Sequence, residues 1–125
     1  MIELSGVSYS YGDRHLFSDI TLSLQPGSFH FLTGPSGTGK TTLLKLCYLE
    51  LSPEVGGIRI FGEDADARDR DSVAQVRQRI GIVHQDCQFL NHLSVAENIA
   101  LPLRVAGTKP ANEQDNLREL MAWVG

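Results

Sequence analysis

Eight consecutive residues constrain this chain more than any others: Gly34-Pro35-Ser36-Gly37-Thr38-Gly39-Lys40-Thr41 fits the pattern G-x-x-x-x-G-K-[ST]. With glycine at about 7 % of residues and the other types at ordinary levels, chance would supply such a match on the order of once in 200 chains of this length. The flanks sharpen it. Phe29 to Thr33 reads as a buried strand, and Thr42 to Leu49 has helical spacing without a breaker. Strand, glycine loop and helix is the order a polyphosphate site needs. Glycines let the backbone curl so that successive N–H groups point inward. The helix adds its unpaired N-terminal N–H groups and the positive end of its dipole. In that frame Lys40 reaches the β and γ phosphates and the Thr41 hydroxyl is a Mg²⁺ ligand. The rival reading, a glycine turn with a solvated lysine, explains neither flank.

Composition narrows the classes. The 125 residues are 42 % hydrophobic and 21 % charged, about one domain's worth of ordinary core. A net charge of −4 offers no basic face for nucleic acid. No apolar run reaches the roughly 18 residues of a membrane span. Met1-Ile2-Glu3-Leu4 lacks the basic and then apolar start of a signal peptide. Cys47 and Cys87 form no C-x-x-C pair and read as reduced thiols filling apolar space. His15, His30, His84 and His92 show no metal spacing.

Ahead of the glycine loop, Ile2 to Tyr11 alternates apolar and small polar residues, as a half-buried antiparallel strand does. Gly12-Asp13-Arg14 is a turn, Ile20 to Leu24 alternates again, and Gln25-Pro26-Gly27 is a second turn. Such an antiparallel lead-in is unusual for a simple doubly wound domain. Tyr11 lies 29 residues before Lys40, in the turn after the first strand, where a ring can stack on adenine. Tyr9 competes for that role, and spacing does not choose between them.

Beyond the loop helix, Leu51 to Gly57 is a breaker cluster and Ile58 to Phe61 a short strand. Glu63 to Asp71 reads as a solvated charged loop, and Ser72 as the N-cap of a helix over 73–79. Ile80 to His84 is a compact apolar run, the signature of a buried parallel strand. Gln85 follows at its carboxyl end, where ligands of open parallel sheets lie. An amide there can ligate Mg²⁺ or hold an attacking water, or simply start a loop. Ser94 and Glu97 form a capping box for a helix from Val95 that Pro102 kinks or ends. Ala111 to Val124 is amphipathic, with Leu117, Leu120, Met121 and Val124 on one side and Gly125 at the C-cap position.

With Tyr11, the phosphate loop and Gln85 placed, the last 45 residues after Lys40, the pattern resembles the nucleotide-binding subunits of ABC transporters. The stretches Phe31–Lys40 and Gln85–Leu103 carry it, and it runs nearest to a cell-division branch of that family, which lipoprotein-releasing and macrolide-exporting branches share in part. It implies an α/β phosphate-loop NTPase with antiparallel N-terminal strands and a parallel core sheet. Residues 1–84 would form the nucleotide-binding core, and 85–125 the glutamine loop and the start of a helical subdomain.

The resemblance also implies roles. Tyr11 would stack on the adenine of ATP, and Gly34, Pro35, Ser36, Gly37, Thr38, Gly39, Lys40, Thr41 and Thr42 would hold its phosphates. Thr41 and Gln85 would touch Mg²⁺, with Lys40 and Gln85 the residues nearest the chemistry. Gln85 to Arg104 would dock on an integral membrane partner, at the cytoplasmic face of the membrane, and two ATPase subunits would pair. His84 departs from the aromatic often seen before the glutamine.

The family's Leu-Ser-Gly-Gly-Gln segment, its strand ending in Asp-Glu and its switch histidine do not occur here. The chain therefore reads as the N-terminal part of such an ATPase, expected to bind Mg·ATP without turning it over. A small-molecule kinase or DNA-repair ATPase would share the loop, but the antiparallel lead-in and Tyr11 argue against a kinase. A non-catalytic fragment working through residues 85–104 is the alternative of another class.

Overall fold

The computed structural model describes residues 1–86, 89–107 and 110–124. It divides into two compact units, Met1–Arg77 and Gln78–Gly125. The first is built on an antiparallel sheet of four strands in the order β2-β1-β3-β4: β1 Ile2–Tyr11, β2 Arg14–Leu24, β3 Val55–Ile60 and β4 Glu63–Asp64. β1 is central because both its edges are paired, with Leu4 opposite Leu22 on one side and Ile58 on the other. The expected β1–β2 hairpin is present, and β2 begins earlier than its alternation shows, at Arg14.

A bulge sets which residues of β1 face inward. The register shifts between Leu4 and Val7, where Gly6 has φ +59°, the left-handed conformation of a glycine bulge. The extra residue puts both Leu4 and Val7 in the core at 1 % and 0 % exposure. Counting on by twos, Tyr9 and Tyr11 share the inward face and Ser8 and Ser10 the other. Gly56 crosses tightly here, since a Cβ on it would lie 2.4 Å from the Gly6 carbonyl oxygen.

Helix α1, Lys40–Cys47, contributes Leu46 and Cys47 to this core, with Ile58 and Ile60 from β3. It begins at Lys40, two residues before the helical spacing read from Thr42. It ends where Leu49 turns left-handed at φ +57° and drops a side chain only 2 % exposed into the core. Helix α2, Arg70–Arg79, starts earlier than expected. Ser72 lies within it, and Asp69 is the residue before it, its carboxylate accepting from the Asp71 N–H at 3.1 Å. The stretch read as a solvated loop also contains β4, whose Asp64 pairs with Arg59.

Two expected strands are not formed. Residues 29–33 run without a sheet partner, with Phe29 81 % and Phe31 83 % exposed and their rings edge to face at 4.8 Å. Residues 80–84 likewise form no strand, with Val83 95 % exposed. A parallel strand is covered on both faces and hydrogen-bonded along its edges. Among the described residues no segment pairs with either, so their apolar runs find no sheet to enter.

In the second unit, α3 (Val95–Val105) and α4 (Pro110–Val124) pack on each other. The capping box of α3 is present: the Ser94 hydroxyl accepts from the Glu97 N–H, and the Glu97 carboxylate accepts from the Ser94 N–H at 2.8 Å. Pro102 lies inside α3, which runs one turn further to Val105. Asn98 ties the preceding loop down, accepting from the Leu90 N–H at 2.8 Å and donating to the carbonyls of Leu90, Leu93 and Ser94. Cys87 and the cap position Gly125 lie outside the described residues.

Candidate functional site

The glycine loop runs into α1 without any side chain blocking the helix end. The N-cap is Gly39, at φ +93°, which offers no side-chain hydrogen bond, and no acidic residue occupies the first turn. The first N–H groups of α1 are thus left without an intrahelical partner, and the positive end of the dipole is not offset. Glycine is required here for space as well as conformation. A Cβ at Gly39 would lie 2.9 Å from the Leu16 side chain and 3.2 Å from Phe17. The register slips between the Tyr9–Phe17 and Ser10–His15 pairs, so Leu16 is the extra residue. That bulge brings both Leu16 and Phe17 against the loop, a support that strand alternation alone does not reveal.

Lys40 folds back over the loop. Its ammonium donates to the carbonyls of Gly34 at 2.8 Å and Pro35 at 2.7 Å, and the Thr38 hydroxyl donates to Pro35 at 2.9 Å. An ammonium has three N–H groups, so one remains beyond these two. Ser36, Gly37 and Thr38 are exposed at the mouth of the loop. Thr41 is exposed in the first helical turn, and Thr42 is buried at 6 %. A glycine loop that leads into an uncapped helix N-terminus, with an ammonium folded over it, suits a polyphosphate, and the exposed Thr41 suits the divalent cation that accompanies it.

Tyr11 joins this cluster. Its hydroxyl lies 3.4 Å from Thr42 Oγ1 and the residue is 50 % exposed. Tyr9 sits behind it, its ring 5.0 Å from Tyr11 at 79° and 6.4 Å from Phe17. Burial, with the neighbouring Tyr11 next, pushes the Tyr9 phenol above its usual range. Tyr9 is wedged between two rings, while Tyr11 is the outer one.

Three residues that the sequence did not single out hold the hairpin tip. The Ser10 hydroxyl donates to Glu54 Oε2 at 3.0 Å and lies 3.2 Å from His15 Nδ1. Ser10 has one proton and gives it to the carboxylate, so His15 Nδ1 carries the hydrogen and donates. A concavity of about 610 Å³ opens elsewhere in this unit, beside β3, β4 and the start of α2. Its Arg59 is already engaged by Asp64 at 3.3 Å and by the Gly62 carbonyl at 2.7 Å, and the concavity is remote from the glycine loop in chemistry as in lining.

The structure therefore brings together Tyr11 and Gly34 to Thr42. Gln85 belongs to the second unit, exposed in a bend, without the strand expected to precede it. Among the described residues no helix is long and apolar enough to cross a membrane, and no cluster of three His, Cys, Asp or Glu is placed to hold a metal.

Comparison with known proteins identifies the family. The profile described as ABC transporter matches residues 17–125. The methionine import ATP-binding protein MetN of Brucella abortus (strain 2308) is 34 % identical over 125 residues, covering 100 % of this chain and 34 % of the relative. The cell division ATP-binding protein FtsE of Bacillus subtilis (strain 168) is 36 % identical over 126 residues, 99 % of this chain and 55 % of the relative. Among solved structures, the ATP-binding cassette MJ0796, in a dimeric post-hydrolysis state bound to ADP and Pi, superposes with a TM-score of 0.81 at 26 % identity. That match covers 95 % of this chain and 55 % of the other. CbiO1 from Clostridium perfringens, described as part of the ABC transporter complex cbiONQ, gives 0.74 at 26 % identity over 94 % of this chain and 46 % of the other. The chain thus spans about a third to a half of the length of these relatives. The profile match, the shared cassette fold and the glycine loop opening an uncapped helix agree: the chain belongs to the ABC transporter family.

Proposed function

We propose that this chain is the phosphate-loop part of the ATP-binding subunit of an ABC-type membrane complex, and that its subunit is of the FtsE kind, acting with an FtsX-type membrane partner in cell division. The observation that carries the nucleotide reading is the uncapped N-terminus of α1 beneath a loop closed by its own lysine.

On this reading Tyr11 stacks on the base, as its half-exposed ring permits. Lys40 turns its third N–H, and then the two now held by Gly34 and Pro35, to β- and γ-phosphate oxygens. The backbone N–H groups from Gly37 to Thr42 donate to the remaining phosphate oxygens, where fixed donors cost no reorganisation. Thr41 holds Mg²⁺, which offsets the charge of the β and γ phosphates when bound. Gln85 senses the membrane partner and orients the attacking water. The segment from Gln85 to Arg104, stiffened by the α3 capping box, docks on that partner at the cytoplasmic face. A second ATPase subunit pairs with the complete protein.

Within these 125 residues no Asp-Glu strand end and no Leu-Ser-Gly-Gly-Gln segment occurs, so this chain binds Mg·ATP without turnover. Titration with a fluorescent ATP analogue in Mg²⁺ tests this: wild type binds, Lys40→Ala loses binding, and neither hydrolyses ATP. A folded wild-type chain with no magnesium-dependent affinity for adenine nucleotides would sink the reading. The MetN likeness, at similar identity over the whole chain, supports a second reading as an importer ATPase. Co-purification of the complete subunit with an FtsX-type protein or with a methionine permease separates the two.

A further inference from the structure

The arrangement described so far accounts for the phosphates and for one face of the base. We infer that Arg14 supplies the other wall, its guanidinium lying over the face of the base turned away from Tyr11. This rests on the nucleotide reading above and adds to it a residue that neither the loop motif nor the resemblance includes.

Position comes first. Tyr11 and Arg14 are the last paired residues of the β1–β2 hairpin, closed by Gly12 and Asp13. Directly opposed residues of an antiparallel pair project to the same face, with Cβ atoms about 4.5–5.5 Å apart. The face of Tyr11 is the face of α1, because its hydroxyl reaches Thr42. Arg14 therefore leaves the sheet on the side where the helix N-terminus receives phosphate, and it is exposed.

Distance agrees. A base between two flat groups needs two van der Waals layers of about 3.5–4 Å each, roughly 7–8 Å in all. Side chains that start about 5 Å apart at Cβ open to that separation with a modest splay. A tyrosine and an arginine at adjacent positions can thus form a slot one base thick.

The slot is also held in place. One step in from Arg14, His15 Nδ1–H donates to Ser10, Ser10 donates to Glu54, and the Glu54 N–H donates to the Ser8 carbonyl at 3.0 Å. This chain lies on the opposite face of the hairpin and fixes the register of the tip without occupying the base side. Residue type completes the argument. A guanidinium is planar, permanently charged and weakly hydrated, so it stacks on π-systems where an ammonium does so less well.

The test is calorimetric titration of wild type, Arg14→Ala and Arg14→Lys with Mg·ATP and with magnesium tripolyphosphate, each variant checked by circular dichroism. Arg14→Ala should bind ATP about tenfold more weakly and tripolyphosphate unchanged. Arg14→Lys should fall between, since it keeps charge but not the plane; it also decides the matter if Arg14→Ala does not fold. Unchanged ATP affinity in Arg14→Ala, equal losses for both ligands, or Arg14→Lys indistinguishable from wild type would each overturn the inference while leaving the nucleotide reading intact. Wild type binding neither ligand removes that reading, and the inference with it.

Discussion

Gly39 shows how much one absent side chain decides. It must adopt a positive φ, leave room for Leu16 and Phe17, and cap nothing. Gly39→Ala should therefore lower stability by about 1–3 kcal/mol through backbone strain and weaken nucleotide binding as the loop shifts. Urea unfolding reads the first and titration with the fluorescent nucleotide the second. The motif is legible in the sequence because its requirements are local: each glycine answers a backbone need within eight residues. Its support is not. Leu16 reaches the loop through a bulge, and Ser10, His15 and Glu54 meet only because β1 pairs with β2 on one side while Glu54 leads into β3 on the other. Cys47 belongs to the same scale. Burial pushes its thiol up to about 11, so it stays protonated and inert through neutral pH. In a Cys87→Ser background, alkylation at pH 8 should be slow in folded protein and fast in urea; rapid labelling of the folded form would contradict its place in the core.

At the level of elements, the start of α3 is legible because its signal is a pair of residues at fixed spacing, Ser94 and Glu97. Its start in space depends on Asn98, whose hydrogen bonds to the 90–94 loop follow no sequence rule. Ser94→Ala should cost about 1 kcal/mol, read as a lower melting temperature. The box also carries a pH dependence. Hydrogen bonds from the Ser94 hydroxyl and N–H hold the Glu97 carboxyl below its ordinary range. A lowered folded value means the contribution is complete above the unfolded carboxylate value and is lost as pH falls through the folded one. Acid titration followed by circular dichroism should therefore show α3 loosening on the acid side only, with the effect reduced in Glu97→Gln. Equal acid sensitivity in both proteins would separate the helix from its cap. Helix α2 shows the opposite failure: Ser72 and Asp69 are both good caps by type, and only the course of the chain after β4 favours Asp69.

Across the whole chain, the division is between signals of burial and signals of pairing. An apolar run such as Phe29 to Thr33 or Ile80 to His84 records that a segment is meant to be covered. It does not record which strand lies beside it, and a parallel strand depends on neighbours far away in sequence. The antiparallel sheet forms because β1 finds both neighbours within 60 residues, whereas the two core segments find none among the described residues. Their aromatic and aliphatic side chains stand in water, Phe31 and Val83 most of all. Hydrogen exchange gives the consequence. Amides in β1 are bonded on both edges and should be protected near the global limit, while those of residues 29–33 and 80–84 should exchange almost freely. Adding Mg·ATP should slow residues 37–42, the amides proposed above to meet the phosphates, and leave 29–33 fast, because a ligand at a helix N-terminus supplies no partner for a strand edge. Protection of 29–33 equal to that of β1 in the free chain would mean the segment has found a neighbour after all, and that its apolar pattern carries pairing information as well as burial.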